Sequence, residues 1–275
     1  MQTRKPVLAG LAVALLLSAC AVLNAQTRDN LFQVNGTPRL EAGVEISRLM
    51  VRAGTSGEIR IQTTLRHATQ TSYQVIQNEN TISINVRMAT GFSAKGGQPV
   101  VEIIATVPPE TDLALTSSTG DIYVDEVSGQ ISLSTSSGGI QLSDCQGTIA
   151  LQNQTGSTDC RRVQGQVRIR SEAGSVTLQS VAGAFDAETT TGKINFSGEL
   201  WGDQQHRFAS NSGPIELEIV GSPDLRIKAS SESGSVRCGL SIEQSASTKN
   251  ECSGVLGLGS GSLQIRTSTG SITVR

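Results

Sequence analysis

The chain has 275 residues, 22 Lys and Arg against 24 Asp and Glu, a net charge of −2, and only one Trp, two Tyr and five Phe. That balance argues against a basic surface holding nucleic acid through its phosphates. Abundant Gly, Ser and Thr with frequent Val and Ile suit many short strands joined by tight turns, and the length suffices for a large core or two small ones.

An export signal comes first. Arg4 and Lys5 precede an apolar run from Val7 to Leu17, too short for a permanent membrane span, which needs about 20 residues. The run leads into Leu17-Ser18-Ala19-Cys20, which resembles the bacterial lipobox, where signal peptidase cuts before a cysteine that then carries the lipid. Residues 1–19 therefore read as a lipoprotein signal peptide and Cys20 as the lipidation site that anchors the chain to a membrane. Residues 20–30 read as a tether containing "AVLNAQTRDN". The alternative is an ordinary signal peptide cut after Ala25, which Leu23 at the minus-three position disfavours.

Residues 31–110 carry alternating runs without a fixed period: "GEIRIQTTL", "TISINVRM" and "VVEIIATVPP". They predict a β segment that caps or begins whatever follows, because an open first coil would be an aggregation edge.

From 111 to 275 the chain repeats. The glycine of a Gly-x-Ile/Val motif stands at Gly120, Gly138, Gly156, Gly174 and Gly192, 18 residues apart, and a second glycine follows nine later at Gly129, Gly147, Gly165 and Gly183. The spacing then loosens to 21, giving Gly213 and Gly234, and the motif returns at Gly270, 36 residues on. Within a unit the apolar positions are plus 2, 4, 7, 11 and 13 from the first glycine: Ile122, Val124, Val127, Ile131 and Leu133 in the first. A local period of two means strands with one inward face, and no single unit can bury that face alone. The expected fold is all-β: a single-stranded β-solenoid with coils of about 18 residues, each of two short strands, stacked about 4.8 Å apart. A sub-period of nine, not six, rejects the left-handed hexapeptide helix.

Stacking makes residues 18 apart into neighbours. Arg168 and Arg170 should face Asp186 and Glu188 across adjoining coils, and Ser117, Thr135, Asn153, Ser171, Thr189, Ser210, Ser231 and Thr267, each three before a motif glycine, should form a hydrogen-bonding column at one corner. Four cysteines besides Cys20 suit an oxidising compartment and allow three connectivities. Cys160 and Cys238 stand at the plus-4 position, Cys145 at plus 7, and Cys252 precedes Gly254 as Cys145 precedes Gly147. The expected bridges are Cys145 with Cys160 across neighbouring coils, and Cys238 with Cys252 at the base of the polar insertion "SIEQSASTKNE".

Chemistry finds little footing. Asp121, Asp125, Asp144 and Asp159 fall at plus 1, 5, 6 and 3 of their units, so they build no carboxylate column of the kind glycosidic chemistry uses. His67 and His206 lie in different regions, and no metal or cofactor is expected. The glycines keep solenoid period and open no helix, which removes a phosphate-binding loop. The mixed outward positions Asp121, Tyr123, Gln141, Asp159, Thr177 and Asn195 do not make an ice-binding threonine array. Trp201 in "Trp201-Gly202-Asp203", with His206 close by, is the candidate ligand contact, against the plainer role of covering the core.

The stretch "VPPETDLALTSSTGDIYVDEVSGQISLSTSSGGI" resembles the bacterial putative-adhesin domain of unknown function, over roughly residues 30 to 275. That resemblance implies a right-handed solenoid on an exported or surface protein, and no catalytic residues. The expectation is a non-catalytic, lipid-anchored envelope module for binding or structure. The alternative is a carbohydrate-active or carbohydrate-binding solenoid acting near the 199–208 loop.

Overall fold

A computed structural model of the chain describes residues 25–66, 71–88 and 100–275. The segment expected to be a signal peptide, Cys20 and His67 lie outside the described residues. The strands in chain order begin with β1 (Ala25–Gln33), β2 (Arg39–Ile46), β3 (Arg48–Ala53), β4 (Glu58–Arg66), β5 (Thr71–Asn78), β6 (Thr81–Met88) and β7 (Val100–Val107). The regular repeat supplies β8 (Asp112–Thr119), β9 (Ile122–Asp125), β10 (Ser128–Ser137), β11 (Ile140–Ser143), β12 (Gln146–Thr155), β13 (Thr158–Arg161), β14 (Gln164–Ala173) and the long β15 (Val176–Thr191). Then come β16 (Ile194–Leu200), β17 (Gln205–Ser212), β18 (Ile215–Ile219), β19 (Leu225–Ser231), β20 (Val236–Cys238), β21 (Glu243–Ser247), β22 (Glu251–Leu256), β23 (Gly261–Thr269) and β24 (Ile272–Val274).

These form the all-β solenoid that the repeat requires. Each regular coil contributes a strand of eight to ten residues to one parallel stack (β8, β10, β12, β14) and a strand of four to the other (β9, β11, β13). The long β15 serves both, through Val176–Gln179 in the short-strand sheet and Ala182–Thr191 in the long-strand sheet. From β8 to β15 the register is 18 residues: Ile131 lies beside Ile149, Ile149 beside Val167, Leu142 beside Cys160. The inward plus 2, 4, 7, 11 and 13 positions of the first unit are buried, and the same columns join one continuous core. Toward the C-terminal half its centre is aromatic: Phe196 meets Phe185 and Phe208 edge to face, each with centroids 5.1 Å apart.

The glycines answer to both conformation and proximity. Gly156 has φ +131°, and a Cβ there would overlap the carbonyl oxygen of Gly138 in the coil below. Coils stacked at strand spacing leave no room for a side chain at that corner. The polar column stands where expected and is buried. Thr135 donates to Gly120 O at 3.3 Å, Asn153 to Gly138 O at 3.1 Å, Ser210 to Gly192 O at 3.2 Å and Thr267 to Gly213 O at 3.1 Å. The Ser117 and Ser171 hydroxyls are buried at this corner without a partner among the described residues, so the column does not serve every coil. At the second corner Glu126, Asp144, Arg162 and Ser180 all have φ between +52° and +58°, a left-handed column with no glycine in it. Arg162 grips Asp144 one coil away with two hydrogen bonds of 2.6 Å, and this contact holds the Asp144 carboxyl below its ordinary value.

The expected charge ladder forms on the outer face of the long-strand sheet. Arg168 lies 3.4 Å from Asp186, Arg170 2.6 Å from Asp186 and 3.5 Å from Glu188, and Arg207 3.7 Å from Glu188 on the far side. Each exposed pair contributes about 0–1 kcal/mol.

Both ends depart from chain order. The β2–β3 coil sits between β6–β7 and β8–β9, and the last coil, β23–β24, sits between β17–β18 and β19–β20. Gly270 therefore stacks on Gly213, and Gly234 on Gly270. The C-terminal "GSITVR" is thus no open end. Antiparallel strands cover the outermost coils: β5 on β6, β4 on β7 with β1 beyond it, and the β21–β22 hairpin on β19. The tether expected over 20–30 is corrected at its second half, because β1 begins at Ala25 and pairs with β4.

Cys238 and Cys252 are bridged, their Cα atoms 6.6 Å apart, tying β20 to the hairpin. The expected Cys145–Cys160 bridge is absent, and both thiols are free and buried. Their separation of 15 residues misses the 18-residue register, which places Cys160 beside Leu142 and Leu178. The Cys145 thiol instead donates to Ser143 O at 3.2 Å, and burial pushes its pKa up to about 11. Both behave as small apolar core groups.

Candidate functional site

The 18-residue repeat first breaks after Gly192, and a groove lies at that break. After β15, the next coil omits the left-handed corner residue: β16 skips the position of Ser180 and runs on through Gly198 to Leu200. Residues 201–204 then turn the chain back into β17, which rejoins the sheet with Arg207 opposite Asp186. This detour makes the glycine spacing 21 at that coil. Its fixings are Trp201 N–H on Gly183 O at 3.0 Å, Gln204 N–H on Trp201 O at 3.2 Å, and Ser262 N–H on Gln204 O at 3.0 Å. The loop is thus a wall pinned by the inserted C-terminal coil.

The detour removes the strand that would have paired with Phe185, and His206 fills in. Its Nδ1 accepts the Phe185 N–H at 3.4 Å and its Nε2 lies 2.8 Å from Trp201 O. A carbonyl can only accept, so the proton sits on Nε2 and the ring is neutral. Burial, more than any other influence, lowers the pKa of His206 below 6.5. At 2 % exposure His206 is a structural strut, not a ligand contact, which corrects that expectation. Trp201 is 37 % exposed, so it remains on the surface, but it does not line the groove.

The groove itself encloses about 520 Å³ against the outer face of β12, β14 and β15. Its outward floor residues are Thr148, Ala150, Gln166, Arg168, Ala184 and Asp186, and Asp203, Gln204 and Gln205 form the wall. The hollow exists because alanines occupy outward places at 150 and 184, flanking the longer Gln166 and Arg168. A second depression of about 390 Å³ adjoins it, lined by Gln152, Gln154, Arg170 and Glu188 among others. Sequence reasoning fixed on the loop and missed the floor; the signal was the pair of outward alanines beside a charged ladder.

The other candidate carboxylates do not gather here. Asp121 accepts the Gly139 N–H at 2.8 Å and the Tyr123 hydroxyl at 3.0 Å, Asp159 accepts the Ser157 hydroxyl at 3.0 Å, and Asp144 is held by Arg162. They are ties between and within coils. Among the described residues no group of three His, Cys, Asp or Glu could hold a metal ion.

A family model described as Toastrack DUF4097 matches residues 40–275. The chain belongs to the Toastrack family. Its likeness to that family, first carried by the repeat motif, holds over the whole solenoid. Among solved structures, a putative cell adhesion protein from Clostridium sporogenes is similar at 10 % identity, with 91 % of this chain and 98 % of that one covered and a TM-score of 0.37. A putative adhesin from Bacteroides fragilis is similar at 12 % identity, covering 91 % of this chain and 97 % of that one, with a TM-score of 0.36. No curated protein matches the sequence. This Toastrack chain therefore has a groove whose use must be argued from its own side chains.

Proposed function

We propose that this protein is a lipid-anchored envelope module, tethered at Cys20, that binds a ligand on the outer face of its long-strand sheet and catalyses nothing. The observation that carries the reading is the groove at the break in the repeat: a preformed wall against a rigid ribbed floor, in which polar side chains alternate with apolar surface. Rigid scaffolds with a pre-set concavity bind at low ordering cost. The Cys238–Cys252 bridge supports export, since such bonds persist in oxidising compartments. The lipobox-like Leu17-Ser18-Ala19-Cys20 supports anchoring. Among the described residues that line the groove, no nucleophile is paired with a base, which favours binding over chemistry.

Fractionation tests the anchoring. The wild-type protein should pellet with membranes, and the Cys20→Ala form should move to the soluble fraction. Unchanged membrane association of Cys20→Ala would remove the lipid anchor from the account.

A further inference from the structure

The groove leaves an unusual set of polar groups uncommitted. Among the described residues, the side chains of Thr148, Gln166, Gln204 and Gln205 make no hydrogen bond or ion pair, although the backbone of Gln204 is fixed at both its N–H and its carbonyl. Asp186 is divided. Its Oδ2 takes Arg170 at 2.6 Å and Arg168 at 3.4 Å, whereas its Oδ1 is buried with no partner among the described residues. Arg168 Nε lies 3.4 Å from Asp186 Oδ2 and its side chain is 71 % exposed, so the guanidinium stays open to solvent and to a ligand.

These groups discriminate between ligand classes. An apolar ligand would strand three amides and a carboxylate oxygen away from water. A polyanion would meet the carboxylates Asp186 and Asp203, and a polycation would meet Arg168. A hydroxyl both donates and accepts, so a run of hydroxyls can donate hydrogen bonds to the Asp203 carboxylate and the glutamine carbonyls while accepting from Arg168 and the glutamine amides. The hollow also continues along the strands of the same coils into the second depression beside Arg170 and Gln152, which suits an extended chain more than a single small molecule.

We infer that the groove walled by residues 203–205 is a binding site for a neutral, hydroxyl-rich polysaccharide lying along the strands. The inference rests on the binding role proposed for this face, and deepens it by naming the ligand chemistry. The site is tested by affinity electrophoresis of the purified mature protein in gels containing dextran, laminarin, mannan or, as an anionic comparison, polygalacturonate. Three variants run alongside. Ala184→Arg fills the floor from an outward position, Gln166→Ala removes one amide, and Thr177→Arg places the same charge on the opposite sheet. Urea midpoints report whether each variant is folded.

The expected result is retardation by at least one neutral polysaccharide. The apparent Kd should rise tenfold or more in Ala184→Arg and severalfold in Gln166→Ala, and stay unchanged in Thr177→Arg. Retardation by none of the neutral polymers, or by polygalacturonate alone, would overturn the saccharide assignment. Equal retardation of folded Ala184→Arg and wild type would overturn the groove as its location. The fractionation of Cys20→Ala is independent of these gels, so loss of the ligand assignment and loss of the envelope reading are told apart.

Discussion

Replacing Gly156 by alanine should damage the solenoid far more than the same change at Gly36. Gly156 has φ +131°, a region that costs a residue with a side chain about 1–3 kcal/mol. The new Cβ would also overlap the Gly138 carbonyl, a backbone atom with no rotamer to yield. Relief requires the two coils to part at this corner. That loosens the Gly138 N–H to Thr155 O bond of 3.1 Å and the Asn153 to Gly138 O bond of 3.1 Å, each with a net contribution of about 1 kcal/mol. The sum is about 3–5 kcal/mol, a large part of the roughly 5–15 kcal/mol typical of a domain. Gly36 has φ +64° with no atom within 4 Å of an added Cβ, so its alanine costs about 1–2 kcal/mol. Urea unfolding followed by far-ultraviolet circular dichroism compares the two variants at equal m. Equal losses at the two positions would refute the claim that coil contact, more than turn conformation, dictates the motif glycine.

Three further outcomes follow from the same geometry. His206 is neutral and buried with its pKa below 6.5, so the unfolded chain takes up the proton first; its contribution is whole above about pH 7 and is lost as pH falls below 6.5. His206→Gln, which can keep both backbone bonds without titrating, should therefore gain stability relative to wild type between pH 7 and pH 5 in urea titrations, and a constant difference would contradict the strut. Cys145 and Cys160 should resist a thiol reagent at pH 8 in the native protein, with Cys145 held up at about 11, and both should react once it is denatured. Deleting residues 261–275 removes a coil from inside the stack and strips β17 and β19 of their shared neighbour. It should lower the urea midpoint much more than Cys252→Ser, which releases a closure worth roughly 3 kcal/mol.

The coil was legible in the sequence because its physics repeats locally. Every coil must bring a backbone carbonyl against the next, so Gly138, Gly156 and Gly174 recur at 18, and the inward and outward positions alternate between them. The charge pairing of Arg168 and Arg170 with Asp186 and Glu188 followed from register alone. Stacking order at the ends was not legible, because local period says which residues form a coil and nothing about which coil it lies against. The 36-residue step from Gly234 to Gly270 hides a hairpin and the start of an inserted coil for that reason. The role of His206 depends on a ladder gap at Phe185 that arises only because β16 runs past its corner. The cysteine pairing failed on simple arithmetic, since 145 and 160 do not share a column. The groove was half legible: its wall came from the broken period, while its floor needed the outward faces of three coils to be seen together.

The central claim is that binding takes place on the groove side of the solenoid and not on its opposite sheet. Photo-crosslinking in intact cells tests this whatever the ligand is. A diazirine amino acid is placed at Ala184, in the groove, or at Thr177, which faces outward on the short-strand sheet. Irradiation should give a crosslinked species of higher mass from position 184 and none from position 177. Crosslinks from position 177 alone, or equally from both, would contradict the account.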